Sequence, residues 1–323
     1  MRRRALRVVR RWAAVAVMGA LVAGCTTGGT DSESGAEERT GIEVAPIASA
    51  RKITDAQGVT VTTPSPPRRV VCLVALCDDM LAELGMVPVA TNSKLLAHPE
   101  FLGPQRAARI PVVPGGFLNP EPEAILSYRP DLVIGLKDTH GKLAPALGGA
   151  TVFWPVQPGR WQDSVDYLRS LAALTGRTAR GEAAEGAFRQ RLARAERERA
   201  EHTALIIFGS DENFGVATPG NDVAAGLFPK ISQYPWRSRG VEGSYSMEEI
   251  LARDVDVLFV ETLSFGDAKS GALSRTLARN PLWSRIPAVR EGRVHEVDAE
   301  VWAKGRGTRS LRVVLDEATA KLR

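Results

Sequence analysis

The 323-residue sequence predicts an α/β protein of two Rossmann-like lobes with mostly parallel sheets, joined by one long α-helix. Three observations carry this expectation. Short apolar runs alternate with helical patterns from residue 51 to the end, a pattern that needs crossovers and so parallel strands covered on both faces. The longest helical pattern, residues 178–201, stands near the middle of the chain and separates two such series. A phrase also recurs on either side of it. Glu123-Ala-Ile-Leu-Ser-Tyr-Arg-Pro-Asp-Leu-Val133 and Glu248-Glu-Ile-Leu-Ala-Arg-Asp-Val-Asp-Val-Leu258 both read as an acidic helix start, an apolar helix, a turn and a buried strand.

In chain order, residues 1–11 carry six arginines and no acid, and Trp12 to Ala23 are apolar but too few to span a bilayer. Residues 1–24 therefore read as an export signal. It ends Leu21-Val22-Ala23-Gly24-Cys25, which resembles a bacterial lipobox, so Cys25 is the expected lipidation site. The Arg-Arg-Ala-Leu-Arg run leaves twin-arginine export open beside the general route. Residues 25–50 are rich in Gly, Ser, Thr and Glu and read as a flexible, lipid-anchored tether.

The first lobe is expected over 51–177. It opens with two β-like runs around a turn (Ile53 to Val61), and Pro64, Pro66 and Pro67 then break the chain. The strand Arg68 to Val74 and the helix Asp78 to Gly85 follow, with a short strand at Val87 to Ala90. Pro122 to Tyr128 (helix), Pro130 to Gly135 (strand), Leu143 to Leu147 (helix), Thr151 to Trp154 (strand) and Gln162 to Thr175 (helix) complete it. The second lobe, 202–323, places strands at 205–209, 255–260 and 293–297. Its helices fall at 223–228 and 247–252, with an amphipathic closing helix from Arg309 to Leu322.

Composition narrows the function. The net charge of +5 belongs to the export signal; without those six arginines, 36 bases face 37 acids. A nucleic-acid footprint is not supported. The mature chain keeps Cys72 and Cys77. Export permits a disulfide, but one cysteine falls in a strand and the other at the start of the next helix, so two separate buried residues are expected.

Catalytic motifs are thin. Gly135-Leu-Lys-Asp-Thr-His-Gly141-Lys142 has one residue too many for a phosphate loop, and Leu143 stands where a magnesium-holding hydroxyl belongs. Gly305-Arg-Gly-Thr-Arg-Ser310 lacks the third glycine of a dinucleotide loop and reads as a pocket loop before the last helix. His98, His140, His202 and His295 are scattered, so no metal site and no catalytic residue is expected. Aromatic and cationic residues instead cluster beyond strand ends, where α/β sheets bind ligands. Lys137, Trp154, Arg160, Trp161, Phe214, Trp236, Arg237, Trp302, Arg306 and Arg309 form the expected contact set, suited to a bulky, flat or anionic ligand.

Several phrases together resemble the class III periplasmic-type substrate-binding proteins of iron–siderophore, haem and vitamin B12 ABC importers. They are Pro67-Arg-Arg-Val-Val71 leading to Asp78-Asp79 and Leu84-Gly85, Asn119-Pro-Glu-Pro-Glu-Ala-Ile-Leu126, and Arg129-Pro-Asp-Leu-Val-Ile134. Ser246-Met-Glu-Glu-Ile-Leu251, Asn280-Pro-Leu-Trp283 and Val289-Arg-Glu-Gly-Arg-Val294 complete the set. The resemblance implies a ligand cleft between the lobes and little lobe closure. It also implies one permease-docking glutamate per lobe, Glu123 and Glu248 by position. Scattered histidines favour the siderophore branch, in which iron arrives chelated and the protein needs no cofactor; Tyr234 and Tyr245 keep haem open as an axial-ligand reading. The expectation is a non-enzymatic, monomeric, lipid-anchored receptor outside the cell that delivers ferric siderophore to an ABC permease. The rivals are the same role for haem or a cobalamin, an exported enzyme, and a surface sensor.

Overall fold

The computed structural model describes residues 42–210, 214–237, 245–263 and 272–323; the expected lipidation site, Cys25, lies outside them. β1 (Lys52–Thr54) and β2 (Thr60–Thr62) pair as an antiparallel hairpin. Asp55 closes its turn by accepting the Gln57 and Val59 amides, and Gly58 supplies the φ of 77° that a side chain would strain.

The first lobe is a parallel sheet of β3 (Val70–Cys72), β4 (Ala90–Thr91), β5 (Leu132–Leu136) and β6 (Val152–Val156), in the order β4-β3-β5-β6. Strand alternation sends Val70, Cys72, Leu132, Ile134, Trp154 and Val156 to one face, where Tyr167, Leu168 and Leu171 of the helix Trp161–Thr175 cover them. Val71, Leu73 and Val133 pack on the other face with Ile125 and Leu147. The second lobe is β7 (Ala204–Gly209), β8 (Phe214–Val216), β9 (Val257–Thr262) and β10 (Val294–Val297), in the order β10-β9-β7-β8. β8 is antiparallel to β7 and was not expected; three residues are too few to show an alternation.

The linking helix runs Thr178–Arg197, four residues short of its expected end. The chain leaves the helix to give the Ala200 amide to Ile231 O at 2.9 Å. Phe188, Leu192 and Ala195 of this helix sit in a single apolar core with Ala75, Leu95 and Val165 of the first lobe and Phe228, Phe259, Trp302 and Leu311 of the second. At about 1.5–3 kcal/mol for each large side chain removed from water, separating the lobes would expose much of what folds them. Long-helix rigidity and a shared core act together.

Two expectations are corrected. The end of the expected tether is hydrogen-bonded to the first lobe and the linking helix: Arg169 donates to Ala45 O and Pro46 O, Ile47 N–H to Glu182 Oε1 of the linking helix, and Ala50 N–H to Ala173 O. Cys72 and Cys77 form a disulfide, with Cα atoms 5.4 Å apart. Cys72 is the last residue of β3 and the helix Ala75–Glu83 begins three residues later, so its first turn folds back over the strand end.

Candidate ligand cleft

The segments that leave the carboxyl ends of the strands meet across the lobe boundary. Lys94 N–H, after β4, points at Glu300 Oε2 after β10 (3.4 Å), and Glu300 also binds Lys304 Nζ at 2.7 Å. Ser164 Oγ, in the helix after β6, donates to Arg306 O at 2.5 Å. The carboxyl edges of both sheets therefore face one another at the lobe boundary, where α/β sheets bind ligands. A shallow groove of about 730 Å3 lined by Pro66, Arg68, Gly85, Met86 and Arg177 lies at the opposite, amino end of the first-lobe strands and holds none of the expected contacts.

Arg306 is the best-defined cation of this edge. Its backbone is left-handed (φ 55°), a conformation costing an arginine on the order of 1–3 kcal/mol, so surrounding contacts must hold it. Its Nε donates to Ala303 O at 2.9 Å, and its two terminal nitrogens make no hydrogen bond among the described residues. Asp222 and Glu261, both buried, stand in its field. Asp222 caps a turn through the Ala225 amide (2.7 Å), while Glu261 Oε1 has no hydrogen-bond partner. Burial first, then Asp222, pushes the Glu261 carboxyl well above the usual range, against the pull of Arg306. Burial likewise raises Asp222. Burial therefore opposes the charged form of both carboxyls, while the Arg306 guanidinium favours it.

Other expected residues share this edge. Lys137 is exposed at the end of β5, and Phe214 is half-buried opposite Gly209 at the end of β7. Arg160 is exposed beside the start of its helix, 3.4 Å from Asp163 Oδ1, whose other oxygen takes the Gly159 and Arg160 amides. Trp161 is half-buried; its ring lies 5.7 Å from Phe188 and 6.0 Å from Lys230 Nζ.

The remaining expected contacts are placed elsewhere. Trp154, Trp236 and Trp302 are core residues with at most 1% exposure. Each indole N–H is used internally, by Asp55 Oδ2, Ala204 O and Glu317 Oε2 respectively. Trp302 stacks on Phe259 at 5.1 Å. Arg237 stands beside Trp236, with its backbone tied to the Tyr245 hydroxyl, on the layer over the outer face of β7. Arg309 is committed to Glu83 Oε2 (3.1 Å), Ala82 O and Glu100 O, with its guanidinium over Phe101. Tyr234 and Tyr245 donate their hydroxyls to Ala217 O and Arg237 O, so neither oxygen is presented as an axial ligand. Buried His140 accepts the Leu136 amide on Nδ1 and donates from Nε2 to Phe117 O; burial lowers its pKa, and the ring holds the 117 loop against β5.

The sequence reading missed an acidic seam at the boundary. Asp78 Oδ2 accepts Thr91 Oγ1 and Ser93 Oγ at 2.6 and 2.5 Å. Asp79 accepts the Arg309 and Ser310 amides and Ser310 Oγ at 3.1, 2.7 and 2.6 Å. Glu83 holds Arg309 and Arg312. Burial raises both aspartates to about 7. Acids amid apolar residues, Asp78-Asp79 and Glu261 at the end of Val257-Leu-Phe-Val260, were the available signal.

Glu123 and Glu248 occupy the same place in each lobe: exposed, second residue of a short helix that leads into β5 or β9. Such a helix runs against its strand, so both helix starts point toward the carboxyl edge of their sheet. With the fold and edge in place, the family model described as "Periplasmic binding protein" matches residues 70–301. The chain belongs to the periplasmic binding protein family. Within the family's wider kin, it is 26% identical over 291 residues to the Bacillus subtilis (strain 168) protein named "Probable siderophore-binding lipoprotein YfiY", covering 83% of this chain and 86% of that one. It is 23% identical over 299 residues to "Fe(3+)-citrate-binding protein YfmC" of the same organism, covering 90% and 89%. Among solved structures, the triscatecholate siderophore-binding protein FeuA of Bacillus subtilis, complexed with ferri-bacillibactin, superposes with a TM-score of 0.69 at 20% identity, over 84% of this chain and 98% of that one. No group of three or more metal-ligating side chains occurs among the described residues of this binding protein, and none of its helices there is long and apolar enough to cross a membrane.

Proposed function

We propose that this protein is a lipid-anchored receptor that captures a ferric siderophore outside the cell and passes it to an ABC importer permease. The observation that carries the reading is Arg306, fixed at the carboxyl edge of the second lobe with its terminal nitrogens unpaired among the described residues. A ferric chelate presents anionic oxygens around its metal, and charge-assisted hydrogen bonds from a guanidinium suit them. Lys137 and Arg160 add exposed cations, and Trp161 and Phe214 add apolar faces for the scaffold. Iron arrives already coordinated, so no protein ligand is needed. The names of the Bacillus relatives point the same way. The internal hydrogen bonds of Tyr234 and Tyr245 weigh against haem.

Cys25 would anchor the protein, and Glu123 and Glu248 would meet the permease. The soluble form from Thr26 is titrated with ferric hydroxamate, ferric catecholate, haem and cobalamin while tryptophan fluorescence is followed. Saturable quenching by a ferric siderophore, absent with free iron, is the expected result; binding of haem or cobalamin alone would overturn the ligand, and silence toward all four the receptor role. Reversing charge at Glu123 and Glu248 together is expected to abolish uptake and leave affinity unchanged.

A further inference from the structure

We infer that Asp79 of the first lobe is a positioning residue for ligand binding: by capping the closing helix of the second lobe, it fixes the turn from which Arg306 projects. This rests on the reading of Arg306 as a ligand contact. The closing helix, Thr308–Leu322, has no side-chain cap of its own, because the residue before it is Gly307. Its first amides would be left without partners at a buried boundary. Asp79 supplies the missing acceptor from the other lobe, taking the Arg309 and Ser310 amides and the Ser310 hydroxyl.

The fit leaves no slack. A Cβ on Gly307 would stand 2.2 Å from Asp79 Cγ, so a side chain there must push the carboxylate or the helix away. One on Gly305 would meet Ser310 Oγ at 2.2 Å and Val301 O at 2.5 Å. The two glycines flank Arg306, which sits at φ 55° with its carbonyl held by Ser164. The strap 303–310 is thus pinned to the first lobe by Ser164 at Arg306 and by Asp79 at Arg309 and Ser310, with Glu83 adding bonds to Thr308 and Arg309. The arginine sits at the first of those pins, three residues before the second. A separation of the lobes would withdraw the cap and release Arg306 from its strained conformation.

The test is a double-mutant cycle on the soluble receptor, read as affinity for whichever ferric siderophore the wild type binds. Asp79→Ala is expected to weaken binding about tenfold, Arg306→Ala at least as much, and the double variant no more than Arg306→Ala alone. Ser164→Ala, a smaller change, is expected to weaken binding a few-fold through the same arginine. Hydrogen exchange of the strap is followed in parallel without ligand; the Arg309 and Ser310 amides should exchange faster in Asp79→Ala than in wild type. A tenfold loss repeated in full in the Arg306→Ala background would show that Asp79 acts by general stability and overturn the inference. So would wild-type affinity in a folded Asp79→Ala protein, or unchanged exchange of the two amides. If no siderophore binds the wild type, the proposed function falls, while the exchange measurement still decides whether Asp79 holds the strap.

Discussion

Two buried acidic groups meet near the lobe boundary, and they are built differently. In the first lobe, Asp79 and Glu83 face donors from the other lobe: two amides, two hydroxyls and two guanidinium groups. In the second, Glu261 keeps an oxygen with no partner, and Asp222 accepts local amides while Arg306 stands in their common field. Polar groups whose hydrogen bonds are made serve to fasten structure. Glu261 Oε1 is left without a partner in the field of Arg306, whereas the unpartnered atoms of the first seam, Asp78 Oδ1 and the Nε atoms of Arg309 and Arg312, belong to side chains already bonded through their other atoms. The first cluster ties the lobes together; the second surrounds the arginine that the proposed function gives to the ligand.

The same substitution should therefore have unequal costs in the two clusters. Glu83→Gln leaves two partly buried arginines without their counter-charge and is expected to cost about 3 kcal/mol in urea unfolding. Glu261→Gln exchanges a buried carboxyl whose charged form burial opposes for a neutral amide of the same shape, and is expected to cost on the order of 1 kcal/mol, well below Glu83→Gln. Equal costs would break the comparison. Next in size is the disulfide that precedes the seam. Replacing Cys72 and Cys77 by alanine removes a short loop constraint of about 2 kcal/mol, to be read from the same unfolding curves.

Acidity sharpens the comparison with a smaller effect. Asp78 and Asp79 titrate near 7 when folded against 3.8 as the reference value. The folded state then binds protons more tightly than the unfolded one between these values, so stability falls as pH rises through the window and levels off above 7. Between pH 6.5 and 8 each group is expected to contribute on the order of 1 kcal/mol, with higher stability at pH 6.5. Asp78→Asn or Asp79→Asn should flatten the slope of the urea midpoint against pH. Buried His140, whose pKa is lowered, works in the opposite direction below its ordinary range, which is why the upper window is the informative one.

Much of the fold was legible because parallel α/β units repeat a strong pattern. Buried strands such as β5 and β9 are continuous apolar runs, and the linking helix is long enough to show its period. The site was less so. Proximity to a strand end says that a residue is near the edge, not which way its side chain faces. Trp154 is two residues from Val156 in β6, and that parity already put it on the core face. Trp302 and Arg309 lie in the same run as Arg306, yet one turns into the core and one reaches Glu83, a partner 226 residues away in sequence. The disulfide escaped because β3 stops at Cys72, earlier than its apolar run suggested.

In the proposed function a ferric siderophore sits between the lobes with Arg306 on its metal-binding oxygens. A crystal structure with the best-binding ferric siderophore tests it most directly. The Arg306 terminal nitrogens are expected within hydrogen-bond distance of the iron-coordinating oxygens, with no protein atom on the iron. A ligand seated away from Arg306, or a side chain bound to the metal, would contradict it.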